Sequence, residues 1–402
     1  MKGIEFLSSR EVVIVAGART PFGAYLGGLS GLTATELAVH ASKSAIQKAG
    51  IDPQEIDQAI FGNVMQSSSD AAYLARHVAL HAGMRIDSTA LTLNRLCGSG
   101  FQSILSAAEQ ILLGQAKIVL AGGTENMSQA PFVLRNFRKG YRLGNAVAED
   151  SLLQGLTDSY HNTPMGVTAE NIAKDHKITR AMSDEFSLRS QILYKQAHEK
   201  NIFKDEITPI AIESRGKTTV IDSDEHPRPE TTLEKLSKLP PVFDAKGVVT
   251  AGSSSGIVDG AAAVIVMSKA EADRRKIPYL GTLVSFGISG CDPDRMGLGP
   301  VQSSRIALSL FGKTIHDMDM VEINEAFAAQ TIGVELELGI PRDRLNIHGG
   351  AIAIGHPLGA SGTRISLHAL LELKRSNKRW AMTGACIGGG QGITLIFESP
   401  RK

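Results

Sequence analysis

Two cysteines, one histidine and one asparagine of this 402-residue chain lie beside glycine-rich stretches. Cys97, in "NRLCGSG", lies between an apolar run and a helical pattern. The positive end of a helix dipole favours a thiolate, and a thiolate is a strong nucleophile. The position therefore predicts that Cys97 is a nucleophile with a lowered pKa, and a buried structural thiol is the alternative.

A second candidate group lies in the glycine-rich run "NIHGGAIAIGHPLGASG". His356 is followed by Pro357, which restricts the backbone and fixes the imidazole in one place. We interpret His356 as a candidate base, with a structural role as the alternative. His348, in the same run, is interpreted as structural.

The glycines and the asparagine predict binding of a developing negative charge. Gly388 is the first of three adjacent glycines after Cys386 in "CIGGGQG". Because backbone N–H groups converge on an anion only where side chains are absent, this run predicts an oxyanion-binding loop, or else a tight turn. Asn324, in "VEINEAFA", stands at a predicted strand end, where its amide could orient a water or a carbonyl group, or cap a helix.

The elements that must position these side chains are those of an α/β fold. Short apolar runs such as "VVIVAGA" and "KIVLAGG" alternate with helical patterns near residues 35–49 and 101–113. The second of these patterns is followed by Gly114, which is placed to end a helix. Cys97 is therefore predicted to lie at a turn from a strand to a helix.

An internal repeat with an offset of 262 residues divides the chain. Ser99, Gly100 and Gly122 recur as Ser361, Gly362 and Gly384, Asp57 recurs as Asp319, and Asn94 aligns with His356. The repeat predicts two similar halves. Residues 1–123, completed by about 250–272, form the first half and residues 273–402 form the second. Residues 124–249, which are more polar and carry helical patterns around 169–197, are predicted to be an inserted loop domain that binds substrate.

Composition and cysteine spacing exclude several classes of protein. Lys plus Arg (42) nearly balance Asp plus Glu (41), so we expect neither a nucleic acid nor a membrane surface as a partner. The three cysteines are far apart and form no CxxC pair, which argues against a disulfide framework or a local zinc site and favours a reducing, intracellular setting. Gly98, Gly100 and Ser103 only partly match a dinucleotide-binding fingerprint, so an NAD-dependent oxidoreductase is a weak alternative.

These motifs together resemble the thiolases, the acetyl-CoA C-acyltransferases, over nearly the whole chain. The matching strings are "RTPFG", "NRLCGSG", "GGTENMS", "MGVTAEN", "DEHPRP", "TAGSSSGIVDGAAA", "NEAFA", "GGAIAIGHPLGASG" and "CIGGGQG". The resemblance implies the thiolase-like α/β fold: two βαβαβαββ halves in an α/β/α/β/α core, with a loop domain inserted in the first half. It also implies reversible cleavage of 3-ketoacyl-CoA to acetyl-CoA and a shortened acyl-CoA.

The resemblance implies a role for each candidate residue. Cys97 would be the acylated nucleophile, His356 the base that activates it, and Cys386 the acid and base at the α-carbon of acetyl-CoA. Asn324, through a water, and His356 would bind one thioester oxygen, and the N–H groups of Cys97 and Gly388 would bind the other. Five further residues would contact coenzyme A: Met165, Arg228, Phe243, Ser255 and Phe327.

The resemblance also bears on substrates, partners and compartment. It implies no metal and no permanently bound cofactor, with coenzyme A and acyl-CoA as substrates, and a homo-oligomer, either a dimer or a tetramer. Pro164 stands where acetoacetyl-specific members tend to carry a histidine, so a broad-range 3-ketoacyl-CoA thiolase is favoured over an acetoacetyl-CoA-specific enzyme. A β-ketoacyl synthase and a non-catalytic acyl-CoA-binding protein are less favoured alternatives. A bacterial cytoplasm is expected, with the mitochondrial matrix as the alternative.

Overall fold

The computed structural model describes residues 11–214 and 216–400. Its strands, in chain order, are β1 Val12–Arg19, β2 Gly23–Ala24, β3 Gln58–Gly62, β4 Thr89–Leu93, β5 Ile118–Glu125, β6 Phe132–Val133, β7 Glu149–Asp150, β8 Thr157–Asp158, β9 Thr163–Pro164, β10 Ile210–Ser214, β11 Lys217–Ile221, β12 Val258–Ser268, β13 Gly281–Gly290, β14 Met320–Ile323, β15 Trp380–Ile387 and β16 Gln391–Glu398. Its α-helices are α1 Ala34–Ala49, α2 Leu74–His81, α3 Ser99–Leu112, α4 Ser151–Gly155, α5 Met165–Asp175, α6 Arg180–Glu199, α7 Leu233–Ser237, α8 Lys269–Arg275, α9 Gly299–Phe311, α10 Ala328–Leu338, α11 Ala351–Ile354 and α12 Leu358–Ser376.

The long strands form one mixed sheet in the order β14-β15-β16-β13-β1-β12-β5-β3-β4, with β2 paired to β12. In the first half, β3 runs parallel to β4 and β5, and β12 runs antiparallel to β5 and β1. In the second half, β14 is parallel to β15, and β16 is antiparallel to β15 and β13. Within the sheet, the halves join where Val13 and Ile14 of β1 pair with Thr282 and Gly281 of β13.

Helices cover the sheet in layers. One buried cluster contains side chains of α3 and α12 together with strands of both halves, including Phe101, Val264, Ile365 and Leu395. A second cluster packs α1 and α2 on the first half, and a third packs α9 and α10 on the second half. The predicted thiolase-like α/β/α/β/α core is therefore confirmed, with α3 and α12 as its middle layer.

The repeat is visible in hydrogen bonds as well as in the order of elements. An Asp57 carboxylate oxygen accepts the N–H groups of Lys117 and Ile118 at the start of β5. An Asp319 carboxylate oxygen accepts the N–H groups of Arg379 and Trp380 at the start of β15. The three residues of the second bond pair lie 262 positions after their counterparts in the first. The repeat in the sequence is therefore also a repeat in the structure.

The second half departs from the predicted βαβαβαββ order at its third strand. Only an isolated bridge between Val321 and Leu345 stands where the first half has β4. Asn346 follows with a φ of 45°, and its side-chain amide hydrogen-bonds the N–H and the C=O of Ile323. The amide thus replaces the ladder bonds that a longer strand would make.

Two helical predictions can be compared with the structure. The pattern at 101–113 corresponds to α3, which begins two residues earlier than predicted, and Gly114 follows it with a φ of 75°. The helical patterns predicted around 169–197 correspond to two helices, α5 and α6, which are separated by a short turn. Lys177 adopts a φ of 55°, and Thr179 caps the second helix through a hydrogen bond to the Met182 N–H.

Residues 126–257, between β5 and β12, contain α4 to α7 and three two-stranded ribbons. The boundaries proposed for an inserted domain stay a prediction. Across residues 11–214 and 216–400, no helix is both long enough and apolar enough to cross a bilayer.

Candidate active site

Cys97 lies in the turn between β4 and α3, one residue before the helix cap at Gly98. Leu96 has a φ of 45°, a left-handed conformation that a leucine adopts only when its surroundings impose it. The Ser99 hydroxyl donates to the Leu96 carbonyl at 2.7 Å and accepts the Arg95 N–H at 2.8 Å. These bonds hold the cysteine at the start of α3, as the sequence predicts.

The pKa of the Cys97 thiol is raised to about 11, so the predicted lowering is wrong. Burial is the main cause, because the side chain packs beside an apolar cluster that includes Met65, Met127 and Leu358. Hydrogen bonds from N–H groups lower the pKa and only partly offset that burial. The resting residue is therefore a neutral thiol that needs a base.

The N–H groups that face Cys97 are those of Gly388 and of Cys97 itself. Gly388 lies in the turn from β15 to β16, where Gly389 and Gly390 have φ values of 79° and 81°. A Cβ at Gly388 would lie 3.2 Å from Leu96 Cδ1 and 3.4 Å from Met165 Sδ. The turn therefore brings a backbone donor to the sulfur, as the predicted oxyanion-binding loop requires.

His356 is buried at the end of the loop that leads into α12. Its Nδ1 lies 2.5 Å from the Ser361 hydroxyl oxygen, and that hydroxyl lies 3.0 Å from the Pro357 carbonyl. If the hydroxyl donates to the carbonyl, it accepts Nδ1–H, and this tautomer leaves a lone pair on Nε2. Burial, with a smaller effect of Arg364, lowers the pKa of His356 to about 3, so the resting imidazole is neutral.

Asn324 stands at the end of β14 and connects to His356. Its Nδ2 lies 3.3 Å from His356 Nε2, and its N–H donates to the Gly384 carbonyl at 2.9 Å. Its Oδ1 is buried and has no hydrogen-bond partner within the described ranges. A buried oxygen without a partner suits a water that also reaches a substrate oxygen.

Cys386 is fully buried at the end of β15. Burial raises its pKa well above the ordinary value, and the nearby Cys97 and Cys291 raise it further. The side chain packs with Met296 and Ala326. A second thiol that keeps its proton therefore lies near the first.

Four of the five predicted coenzyme A contacts adjoin this centre. Met165 and Phe327 pack against the cluster that contains Cys386. The Ser255 N–H donates to the Ala326 carbonyl at 3.0 Å. The ring of Phe243 covers Gly166 so closely that a Cβ there would lie 1.9 Å from it.

The fifth, Arg228, lies apart from these four. It lines a cavity of about 720 Å³ together with Lys235, Ala251 and Gly252. Gly252, which lines this cavity, lies three residues before Ser255 along the chain.

The structure adds Ser361, which sequence reasoning recorded only as a repeat of Ser99. Its position five residues after His356, in the first turn of α12, was the available signal. The structural interpretation of His348 agrees with its bond to His368, whose Nε2 lies 3.1 Å from His348 Nδ1. No group of three His, Cys, Asp or Glu side chains suited to a metal occurs among residues 11–214 and 216–400.

Comparison with known proteins identifies the family. The model of the thiolase N-terminal domain matches residues 12–270, and that of the thiolase C-terminal domain matches residues 277–399. The chain is 49% identical over 391 residues to the human mitochondrial 3-ketoacyl-CoA thiolase, covering 97% of this chain and 98% of that protein. It is 45% identical to an acetyl-CoA acetyltransferase of Syntrophomonas wolfei, covering 97% of this chain and all of that protein.

A solved structure agrees with these relatives. The crystal structure of the human mitochondrial 3-ketoacyl-CoA thiolase in complex with CoA superimposes with a TM-score of 0.95 at 49% identity. The match covers 97% of this chain and 98% of that one. The chain belongs to the thiolase family.

Proposed function

We propose that this acyltransferase cleaves 3-ketoacyl-CoA with coenzyme A, reversibly, through an acyl group on Cys97. The observation that carries the proposal is the convergence on Cys97 of donors from both halves, with the Gly388 N–H at its sulfur and Cys386 close by. The chemistry needs a nucleophile, a neutral base, a proton donor and fixed N–H groups, and we assign these roles to Cys97, His356, Cys386 and the N–H groups of Cys97 and Gly388.

In the first half-reaction, the Cys97 sulfur attacks the 3-keto carbon while His356 Nε2 takes the thiol proton. The bond between C2 and C3 then breaks, and its electron pair forms the enolate of acetyl-CoA. The Cys386 thiol gives its proton to C2, and acetyl-CoA leaves. Because burial raises the pKa of Cys386, this thiol is protonated at neutral pH and ready to donate.

In the second half-reaction, coenzyme A gives its thiol proton to the Cys386 thiolate and attacks the acyl group. Cys97 leaves as a thiolate and recovers its proton from the His356 imidazolium, so both thiols and the imidazole return to their starting states. The reverse sequence is a Claisen condensation, which forms acetoacetyl-CoA when both acyl groups are acetyl.

Charge at the two thioester oxygens would be stabilised at two places. The N–H groups of Cys97 and Gly388 face the reacting sulfur and can bind the oxygen of the acyl group. The second oxygen, on the acetyl-CoA enolate, would be bound by His356 and by a water on Asn324 Oδ1. The free acceptor on Asn324 supports this assignment.

We propose a broad range of acyl chain lengths, with an acetoacetyl-CoA-specific enzyme as the alternative. In support, Pro164 adjoins Met165 at the start of α5, and a human relative bears the name 3-ketoacyl-CoA thiolase. The Syntrophomonas relative, named acetyl-CoA acetyltransferase, represents the alternative.

The test is the initial rate of CoA-dependent cleavage of 3-ketoacyl-CoA substrates of increasing length. We expect turnover on short and longer chains, and loss of all turnover in Cys97→Ala. Turnover on the four-carbon substrate alone would establish the alternative. No turnover on any substrate would favour a non-catalytic acyl-CoA-binding protein.

Assembly and compartment follow as proposals. We propose a homo-oligomer that pairs through β4, which ends the sheet order and leaves Leu91 45% exposed. A monomeric mass in solution would contradict it. A bacterial cytoplasm and a mitochondrial matrix both suit free thiols, and similarity to the human mitochondrial relative supports the matrix.

A further inference from the structure

The carboxylate of Glu125, at the end of β5, is fully buried where the two halves meet. It accepts hydrogen bonds from four N–H donors. The side chain of Asn63 and the N–H of Met65 bond Oε1 at 3.0 and 2.8 Å. The N–H groups of Val64 and Gly359 bond Oε2 at 3.1 and 2.9 Å.

These donors belong to two segments that flank the reaction centre. Residues 63–65 follow β3, and Met65 belongs to the apolar cluster against which Cys97 packs. Gly359 lies in the first turn of α12, three residues after His356. One carboxylate therefore joins the loop beside the nucleophile to the helix start after the base.

The four donors require the ionised carboxylate. A carboxylate offers about four acceptor positions, and a proton on either oxygen would displace a donor. Burial raises the pKa of Glu125 to about 7 against the lowering effect of the backbone donors. Burial makes the ionised form of Glu125 costly, and the N–H donors offset part of that cost.

Close backbone contacts surround the point where the Glu125 carboxylate reaches the first turn of α12. A Cβ on Gly123 would lie 1.8 Å from the Gly359 carbonyl oxygen, and a Cβ on Gly359 would lie 2.7 Å from the Gly62 carbonyl oxygen. The first turn of α12 thus rests directly on the ends of β3 and β5. The Glu125 carboxylate is the side-chain group that bonds this turn from β5.

The second half has no equivalent carboxylate. The residue 262 positions after Glu125 is Ile387, and a Cβ on Gly98 would lie 2.5 Å from its Cδ1. The start of α3 therefore rests on an aliphatic side chain, whereas the start of α12 is hydrogen-bonded to an acid. The two halves therefore differ in the side chain that contacts the helix start, and in the second half that helix directly follows the base.

We propose that Glu125 is a positioning residue for the reaction, whose carboxylate sets the placement of His356 relative to Cys97. The inference rests on the roles proposed above for those two residues. Because a displacement of about 1 Å between reacting groups can cost about 100-fold in rate, loss of this bridge acts on catalysis rather than on coenzyme A binding.

The test is Glu125→Gln, which keeps the size of the side chain but replaces one acceptor oxygen with an amide NH2 group. That group is itself a donor, so it cannot accept the N–H groups that face it. We expect kcat for thiolysis to fall by about 50-fold or more, with KM for coenzyme A within about twofold. Glu125→Asp, which restores the charge on a shorter side chain, recovers part of kcat. The matched control is Asp57→Asn, which alters a carboxylate bonded to two N–H groups at the opposite end of β5 and leaves kcat unchanged.

The outcomes separate this inference from the proposed function. Turnover in Cys97→Ala would refute the function itself. If Cys97→Ala is inactive but Glu125→Gln keeps its kcat, only the role of Glu125 is overturned. The same holds if Glu125→Gln changes KM for coenzyme A and leaves kcat unchanged. If Glu125→Gln does not fold, Asn63→Ala removes a single donor, and an undiminished kcat in that variant would overturn the proposal.

Discussion

The two halves of the protein share one architecture but carry different groups at equivalent positions. Cys97 of the first half aligns with Gly359 of the second, and Asn94 aligns with His356. The helix starts meet directly, since the Thr363 hydroxyl donates to the Gly100 carbonyl at 3.0 Å. Because the repeat brings two helix starts together, a few substitutions in each half place a nucleophile and a base at one site.

The comparison also separates structure from chemistry within each half. Asp57 and Asp319 make the same pair of bonds at the ends of the strands remote from the reaction centre. At the other end, Glu125 corresponds to Ile387 and Gly62 to Asn324. The halves are therefore alike where they only need to fold, and they differ where the reaction takes place.

The largest expected effect separates the two catalytic thiols. Cys97→Ala and Cys386→Ala should each lower thiolysis by about 10⁴-fold or more, because each removes a reacting group. Only Cys386→Ala should still take up an acetyl group from acetyl-CoA, as measured by mass spectrometry of the intact protein. Cys291→Ala is the control and should retain turnover within about twofold.

Acetylation of the Cys97→Ala variant would break the assignment of the nucleophile to the first half.

The next effect concerns the base of the second half. His356→Ala should lower kcat/KM by about 10³-fold, within the range of general base catalysis. The lowered pKa of about 3 keeps the imidazole neutral, so no loss of activity from His356 protonation is expected between pH 5 and 8. A fall in kcat/KM below pH 6.5 that disappears in the variant would contradict this account.

The resting state of Cys97 can be tested by alkylation. Because only the thiolate reacts with iodoacetamide and the pKa is raised to about 11, the rate should rise about 10-fold per pH unit from pH 7 to pH 10. Peptide mass spectrometry would locate the adduct. A rate that levels off by pH 8 would show that the site holds a stabilised thiolate.

A smaller effect distinguishes two serines at equivalent positions. Ser361→Ala removes the partner of His356 Nδ1 and should lower kcat by about 10-fold with little change in Tm. Ser99→Ala removes two bonds in the turn of Cys97 and should cost about 1 kcal/mol of unfolding free energy. If both variants lowered kcat equally, the two serines would not differ in their contribution to the reaction, which would contradict this comparison of the halves.

The smallest effects test structural equivalence. Asp57→Asn and Asp319→Asn should each cost about 1 to 2 kcal/mol of unfolding free energy, because each weakens two backbone bonds. The costs should add in the double variant, since the sites lie in different halves. Denaturant unfolding measures both, and a loss of kcat in either variant would contradict their placement away from the reaction.

The sequence predicts the fold and the reaction centre through features that are local or periodic. The repeat of Asp57 as Asp319 and the placement of Cys97 before a helix follow from spacing alone. The pKa of Cys97 could not be predicted in this way, because burial by Met65, Met127 and Leu358 depends on residues distant along the chain. Glu125 escaped notice because its four donors come together only in the folded protein.

Trapping the acyl enzyme tests the central claim most directly. The protein is incubated with acetyl-CoA, denatured in acid and digested, and the peptide containing Cys97 is compared with those containing Cys291 and Cys386. The account predicts one acetyl group on Cys97 alone, which free coenzyme A removes when it is added before denaturation. An acetyl group on Cys386, or none on any cysteine, would contradict it.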